Sequence, residues 1–241
     1  MRLRQWNISS TQETDMKTIA VMIISIFALT ACTQMSTPTI QQGPNAEVTF
    51  DGLHRVDNSR SQVVYVKPNI DLSQYDKLML VGLGIQYREV DPLNRYKRGA
   101  DEFPLSEDQK ASINEVVRET MIEEIGKSES FELVTKPGPG VLLIRIGLSD
   151  VVSRVPPNNA ARTDYYLTNI GEALLVMEYS DSTTNEVLAR VADRQVIEPD
   201  IITRSNAATN RSELQRLIRK WGKRIRDGLD ELHAMGCYSC S

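Results

Sequence analysis

Lys77-Leu78-Met79-Leu80-Val81-Gly82-Leu83-Gly84-Ile85-Gln86-Tyr87 is a near-continuous apolar run of strand length. A run without polar alternation predicts a strand covered on both faces. Gly82 and Gly84 permit a bulge or a close approach of another backbone. No phosphate-loop pattern flanks them, so the run is not a nucleotide fingerprint.

Downstream, Glu89 to Pro104 is polar and reads as a loop. Ser106 is a good helix N-cap, with Glu107 and Asp108 in the first turn and Gln109 at the capping-box position. Ile113, Val116, Val117, Thr120, Met121 and Ile125 then mark one helical face, Glu115, Glu119, Glu123 and Glu124 the other, and Gly126 is a natural stop. Phe131–Val134 and Val141–Val152 read as strands separated by the turn Pro137-Gly138-Pro139-Gly140. Arg154–Thr163 is a second loop. Gly171–Tyr179 and Glu186–Val196 alternate as strands, joined by a turn in which Asn185 can take positive φ. A last helix over Arg211–Met235 carries Leu214, Leu217, Ile218, Trp221, Ile225, Leu229 and Leu232 at helical spacing. Upstream, Val63-Val64-Tyr65-Val66 is a short strand stopped by Pro68.

This order predicts an α+β fold: a two-layer sandwich whose mixed, mostly antiparallel sheet carries both helices on one face. Its length suits one domain, residues 48–235, followed by a tail over 236–241.

The address comes from the other end. Ile19 to Ala31 is apolar but too short for a spanning helix, which needs roughly 20 residues, and it fits the core of a secretory signal. Leu29-Thr30-Ala31-Cys32 closes it and reads as a lipobox, so Cys32 is the expected lipidation site. A plain secretory signal with a coincidental cysteine is the alternative. Residues 1–31 are thus a signal peptide, with Met16 the expected true start. Residues 32–47, rich at first in Thr, Ser, Gln and Pro, are the expected flexible tether. Thr33 after the cysteine is not Asp, which favours the outer membrane, facing the periplasm; the inner membrane is the alternative.

Residues 1–31 hold three basic and two acidic of the chain's 28 and 32, leaving the mature part near −5. A mildly acidic surface argues against nucleic-acid binding. Cys237 and Cys240 lie one residue from the chain end, past the helix stop at Gly236. They are a possible local disulfide in an oxidising compartment, with no second pair to complete a zinc site.

The phrases Val66-Lys67-Pro68-Asn69-Ile70-Asp71-Leu72-Ser73-Gln74-Tyr75-Asp76-Lys77-Leu78-Met79-Leu80, Pro137-Gly138-Pro139-Gly140-Val141-Leu142 and Met177-Glu178-Tyr179-Ser180-Asp181-Ser182-Thr183-Thr184-Asn185-Glu186-Val187-Leu188-Ala189 resemble a family of proteobacterial lipoproteins known as a domain of unknown function. The resemblance spans most of the mature chain. It departs at Asn185, where Gly is usual, and at Leu53-His54, which in part replaces a Gly-Phe-Leu phrase. A looser similarity links it to auxiliary lipoproteins of envelope transporters. The resemblance implies an address and a fold, with no reaction.

No catalytic residue, metal site or cofactor is expected. His54 reads as a surface residue, and His233 as a cation at a helix C-terminus. Glu172 and Asp193 would face each other across the last hairpin as a carboxylate pair, though solvated face residues are the plainer reading. The basic residues of the last helix, among them Arg211, Arg219 and Arg226, suit a membrane surface or, more simply, the acidic side of the first helix. Tyr87, Tyr96 and Phe103 form a partner patch or cover a sheet edge. The expected function is a non-catalytic binding or assembly module, membrane-held by its lipid, with an envelope protein or glycan as partner. An envelope hydrolase with an unrecognised site is the alternative.

Overall fold

A computed structural model describes residues 37–97, 99–157, 164–202 and 204–237 of the chain. Eight strands form one sheet: β1 (Thr39–Ile40), β2 (His54–Asp57), β3 (Val63–Val66), β4 (Lys77–Tyr87), β5 (Glu132–Leu133), β6 (Val141–Ser153), β7 (Gly171–Asp181) and β8 (Val187–Val196). Their order is β1-β2-β3-β8-β7-β6-β4-β5. The pairs of β4 with β5 and β6 are parallel, and the other five are antiparallel. Helices α1 (Glu107–Ile125) and α2 (Ala207–Met235) complete the α+β arrangement.

Alternation along the strands shows which face each helix covers. Ile144, Ile146, Leu148, Ala173, Leu175, Met177 and Tyr179 share one core with Val117, Met121 and Ile125 of α1 and with Leu217, Ile218, Trp221, Ile225 and Leu229 of α2. The intervening residues Arg145, Val176, Glu178 and Arg190 point to the other face, which no described element covers as a layer. This corrects the expectation for β4. Its apolar run is buried on one side only, at Leu78 and Leu83, while Gly82 and Gly84 are exposed. The bulge is real: Gly82 has φ +87° and Leu83 φ +56°, and the pairing with β6 shifts register there. A Cβ on Gly82 would stand 2.7 Å from the Ile146 carbonyl oxygen.

The helix signals act as read, with two changes. Ser106 and Gln109 form the capping box of α1. Helix α2 starts before Arg211, because Asn206 caps it by accepting hydrogen bonds from the backbone N–H groups of Ala208 and Thr209. Glu124 belongs to the buried side of α1, not its acidic outer side, where it meets Arg226 at 3.7 Å and Lys127 at 2.6 Å. The two helices touch closely at Gly222, where an added Cβ would stand 2.6 Å from Glu124 Cβ. Of the basic side of α2, Arg211 reaches Glu115 of α1 at 3.7 Å, whereas Arg216 turns to Asp200 and Glu213.

The N-terminal boundary also moves. The folded unit starts at Pro38, inside the expected tether. Thr39 and Ile40 pair with Asp57 and Val56, and the Gln41 N–H donates to the Arg55 carbonyl at 2.8 Å. At the other end, Cys237 is disulfide-bonded and forms a bridge with Asp71, so the first residue after Gly236 is tied to the loop between β3 and β4. Cys32, Cys240 and the signal lie outside the described residues.

Candidate functional site

Strand direction gathers the long loops at one end. β4, β6 and β8 all run toward it, so the segments 88–106, 154–170 and 197–206 leave or return there. A network of ion pairs fastens that end on the uncovered face. Arg88, one residue past β4, grips Asp150 with two hydrogen bonds of 2.7 Å, from Nε to Oδ1 and from the guanidinium to Oδ2. It also donates to Glu172 Oε1 at 2.6 Å and to Glu102. Arg194 meets Asp150 at 2.7 Å and Glu172 at 3.6 Å. Arg154 meets Glu172 at 3.5 Å and Glu102 at 3.9 Å. Three arginines and three carboxylates thus join β6, β7, β8 and two of the loops. Asp150 reaches the centre because β6 carries an irregularity there, with Asp150 itself at φ +54°.

The electrostatics follow from the contacts. Hydrogen bonds from Arg88, then Arg194, hold the Asp150 carboxyl well below the usual carboxylate range. Burial pushes Glu172 up, but Arg88 and Arg154 outweigh it and the net shift is downward. The Arg88 guanidinium is held charged above its ordinary value by Asp150 and Glu172. These carboxylates are therefore acceptors for arginine, a poor state for a general acid near neutral pH.

A cavity of about 410 Å³ opens beside the network, lined in part by Tyr87, Arg88, Phe103, Leu105, Lys110 and Val152. The three aromatic residues expected to act together separate here. Tyr87 donates to the Lys110 carbonyl at 3.2 Å, with its hydroxyl pushed up to about 12 chiefly by burial. Phe103 is buried and bridges Ser153. Tyr96, in a 3-10 turn over Pro92–Tyr96, is 76% exposed.

Glu172 and Asp193 do not face each other. Glu172 lies opposite Val196, and Asp193 lies opposite Leu175, so the two carboxylates sit on opposite faces of the sheet. Nor is Asp193 a solvated face residue. It is buried under α2, where Oδ2 accepts from Trp221 Nε1 and from Arg224, both at 2.9 Å. His54 Nδ1–H donates to the Gln41 carbonyl at 2.8 Å, and His233 packs edge-on against Phe131; neither belongs to the network. Among the described residues no group of three metal-ligating side chains converges, and no helix is long and apolar enough to cross a membrane.

Replacing Arg88 by Leu should lower stability by about 1–3 kcal/mol, the cost of stranding a carboxylate discounted for the network's partial exposure. Because the Asp150 value is depressed in the folded protein, its stabilisation is complete above the unfolded carboxylate range, near pH ~4, and is lost as pH falls through the folded value. The gap in Tm between the natural protein and Arg88→Leu should therefore narrow below about pH 4. A gap that is constant down to pH ~2 would rule out the network as its origin.

The architecture is an α+β sandwich with one sheet face that no described element covers as a layer and its long loops fastened at one end. Over residues 45–225 the chain matches the family described as protein of unknown function DUF3313, and it belongs to that family. No curated protein matches it. Among solved structures it is similar to the neuraminyllactose-binding hemagglutinin homolog from Helicobacter pylori, with 10% identity and a TM-score of 0.38 over 70% of this chain and 90% of that one. It is similar to protein XCC0632 from Xanthomonas campestris, of family DUF330, with 8% identity and a TM-score of 0.40 over 82% and 95%. It is also similar to the PelC dodecamer from Paraburkholderia phytofirmans, with 9% identity and a TM-score of 0.33 over 70% and 96%.

Proposed function

We propose that the chain is a lipid-anchored envelope lipoprotein of the outer membrane, facing the periplasm, that works by binding through its loop-bearing end and not by catalysis. The ion network carries this reading. It spends its charged groups on holding loops 88–106 and 154–170 to a rigid sheet, the usual arrangement for a binding surface. The anchor is supported by Leu29-Thr30-Ala31-Cys32 behind its apolar run. Two measurements test the reading. Cys32→Ser should leave the membrane fraction and keep its unacylated precursor mass; a variant that sediments with membranes like the natural protein defeats the anchor. Shortening loop 88–106 should abolish complementation of a deletion strain while leaving the melting transition cooperative. A single carboxylate or histidine substitution that stops turnover of an envelope substrate, with both loops freely shortened, defeats the binding reading and favours the hydrolase.

A further inference from the structure

The same end presents its apolar side chains outward. Leu93, Tyr96, Tyr166, Ile201 and Ile202 are all exposed, Ile201 by 73%. Exposed apolar residues scattered singly mean little, but a cluster on one surface marks an interaction site. These lie on loops that are tied to each other. Tyr166 bridges Arg204, and the Ser205 N–H donates to the Tyr165 carbonyl at 2.7 Å. The Leu93–Tyr96 turn is held by Asn94, which donates to the Glu102 carbonyl at 3.1 Å, and Glu102 in turn meets Arg88 and Arg154. Exposed cations stand among them at Arg95, at Lys97, which is paired with Asp91 at 2.7 Å, and at Arg204, which is paired with Asp164 at 2.8 Å.

The direction of the chain says what covers this end. β8 runs toward the loops, β3 is antiparallel to β8, β2 to β3 and β1 to β2. β1 therefore runs away from the loops, and Thr39, its first residue, is its loop-side end. Only Thr33 to Pro38 separate Cys32 from β1, which spans about 20 Å at most when fully extended. A lipid on Cys32 would hold this end, and not the opposite one, within reach of the bilayer.

We propose that the loop-bearing end rests on the lipid surface, with Leu93, Tyr96, Tyr166, Ile201 and Ile202 in the headgroup–acyl boundary and Arg95, Lys97 and Arg204 among the lipid phosphates. Tyrosine and aliphatic side chains flanked by cations suit that boundary. The proposal rests on the anchored reading above and names the component that the loop end binds.

The test uses the full acylated chain in phosphatidylethanolamine–phosphatidylglycerol vesicles. Ile202→Cys and, as reference, Phe50→Cys, 98% exposed on the loop between β1 and β2, are treated with a membrane-impermeant maleimide and read by peptide mass. Side chains at such a boundary sit roughly 5–10 Å deep, so position 202 should label on the order of tenfold more slowly than position 50. Equal rates in vesicles overturn the proposal. Protection of position 202 in native envelopes but not in pure lipid also overturns it and makes the occupant a protein or glycan. Failure of the anchor reading is separate, since it shows as identical membrane fractionation of the natural chain and Cys32→Ser.

Discussion

Trp221→Ala should lower stability by about 3–5 kcal/mol, the usual cost of emptying a large core position, and Tm by on the order of 10 °C. Trp221 is 1% exposed at the centre of the α2 stripe, packed with Ile218, Ile225 and the sheet residues of the core. Its indole N–H is satisfied by Asp193 at 2.9 Å, so removal takes away both volume and a donor. Trp221→Phe separates the two, keeping most of the volume at a cost nearer ~1 kcal/mol for the lost hydrogen bond. Thermal melts of the three proteins check the order. An unchanged Tm for Trp221→Ala would mean that the stripe does not hold α2 to the sheet.

Asp193→Ala should cost a similar ~3–5 kcal/mol, for the opposite reason: it strands donors instead of emptying space. The carboxylate is buried, and Arg224, Trp221 Nε1, Gln195 and the Gln62 backbone N–H all donate to it. It joins α2 to β8 and to the turn before β3. Asp193→Asn should fall between the two, since it keeps an acceptor but leaves Arg224 without its counter-charge. Because the two side chains share a contact, the losses should not add, and a double-mutant cycle should give a coupling of about 0.5–3 kcal/mol. A coupling of zero would dissolve the link between the hydrogen bond and the seating of the helix.

Elements with strong local signals were legible from the sequence. Ser106 with Gln109, the Asn185 turn and the periodicity from Leu214 to Leu232 each act within a few residues, so pattern alone places them. The faces of the sheet were less so. The β4 run looks two-sided, yet Gly82 and Leu83 bulge, and the shifted alternation keeps Leu83 and Ile85 on the same core side as Leu78 and Leu80. β1 and β2 are not legible because Thr39–Ile40 and His54–Asp57 are too short to show a period, and only pairing makes them strands. The candidate site was least legible. Glu172 stands out in the sequence, but its offset from Asp193 across the hairpin is odd and turns the two to opposite faces. Its true partners Arg88, Arg154 and Arg194 are distributed along the chain, and nothing local to any of them announces the meeting. A weak signal existed in charged residues at the ends of the apolar strands, Arg88 after Tyr87 and Asp150 inside the run from Val141.

The strand order also sets a folding sequence. β7 and β8 meet through a five-residue connection, Ser182 to Glu186, and can pair as soon as both exist. β3 joins the central sheet only through β8, pairing Val64 with Val191, and β2 and β1 stack outward from β3. Loop closure over so long a stretch is slow compared with a hairpin. The segment nearest the start of the folded unit is thus the last to be seated. Until β8 is in place, the residues from Pro38 to Val66 have no sheet to join, and the span between Cys32 and structured chain is several times its final length.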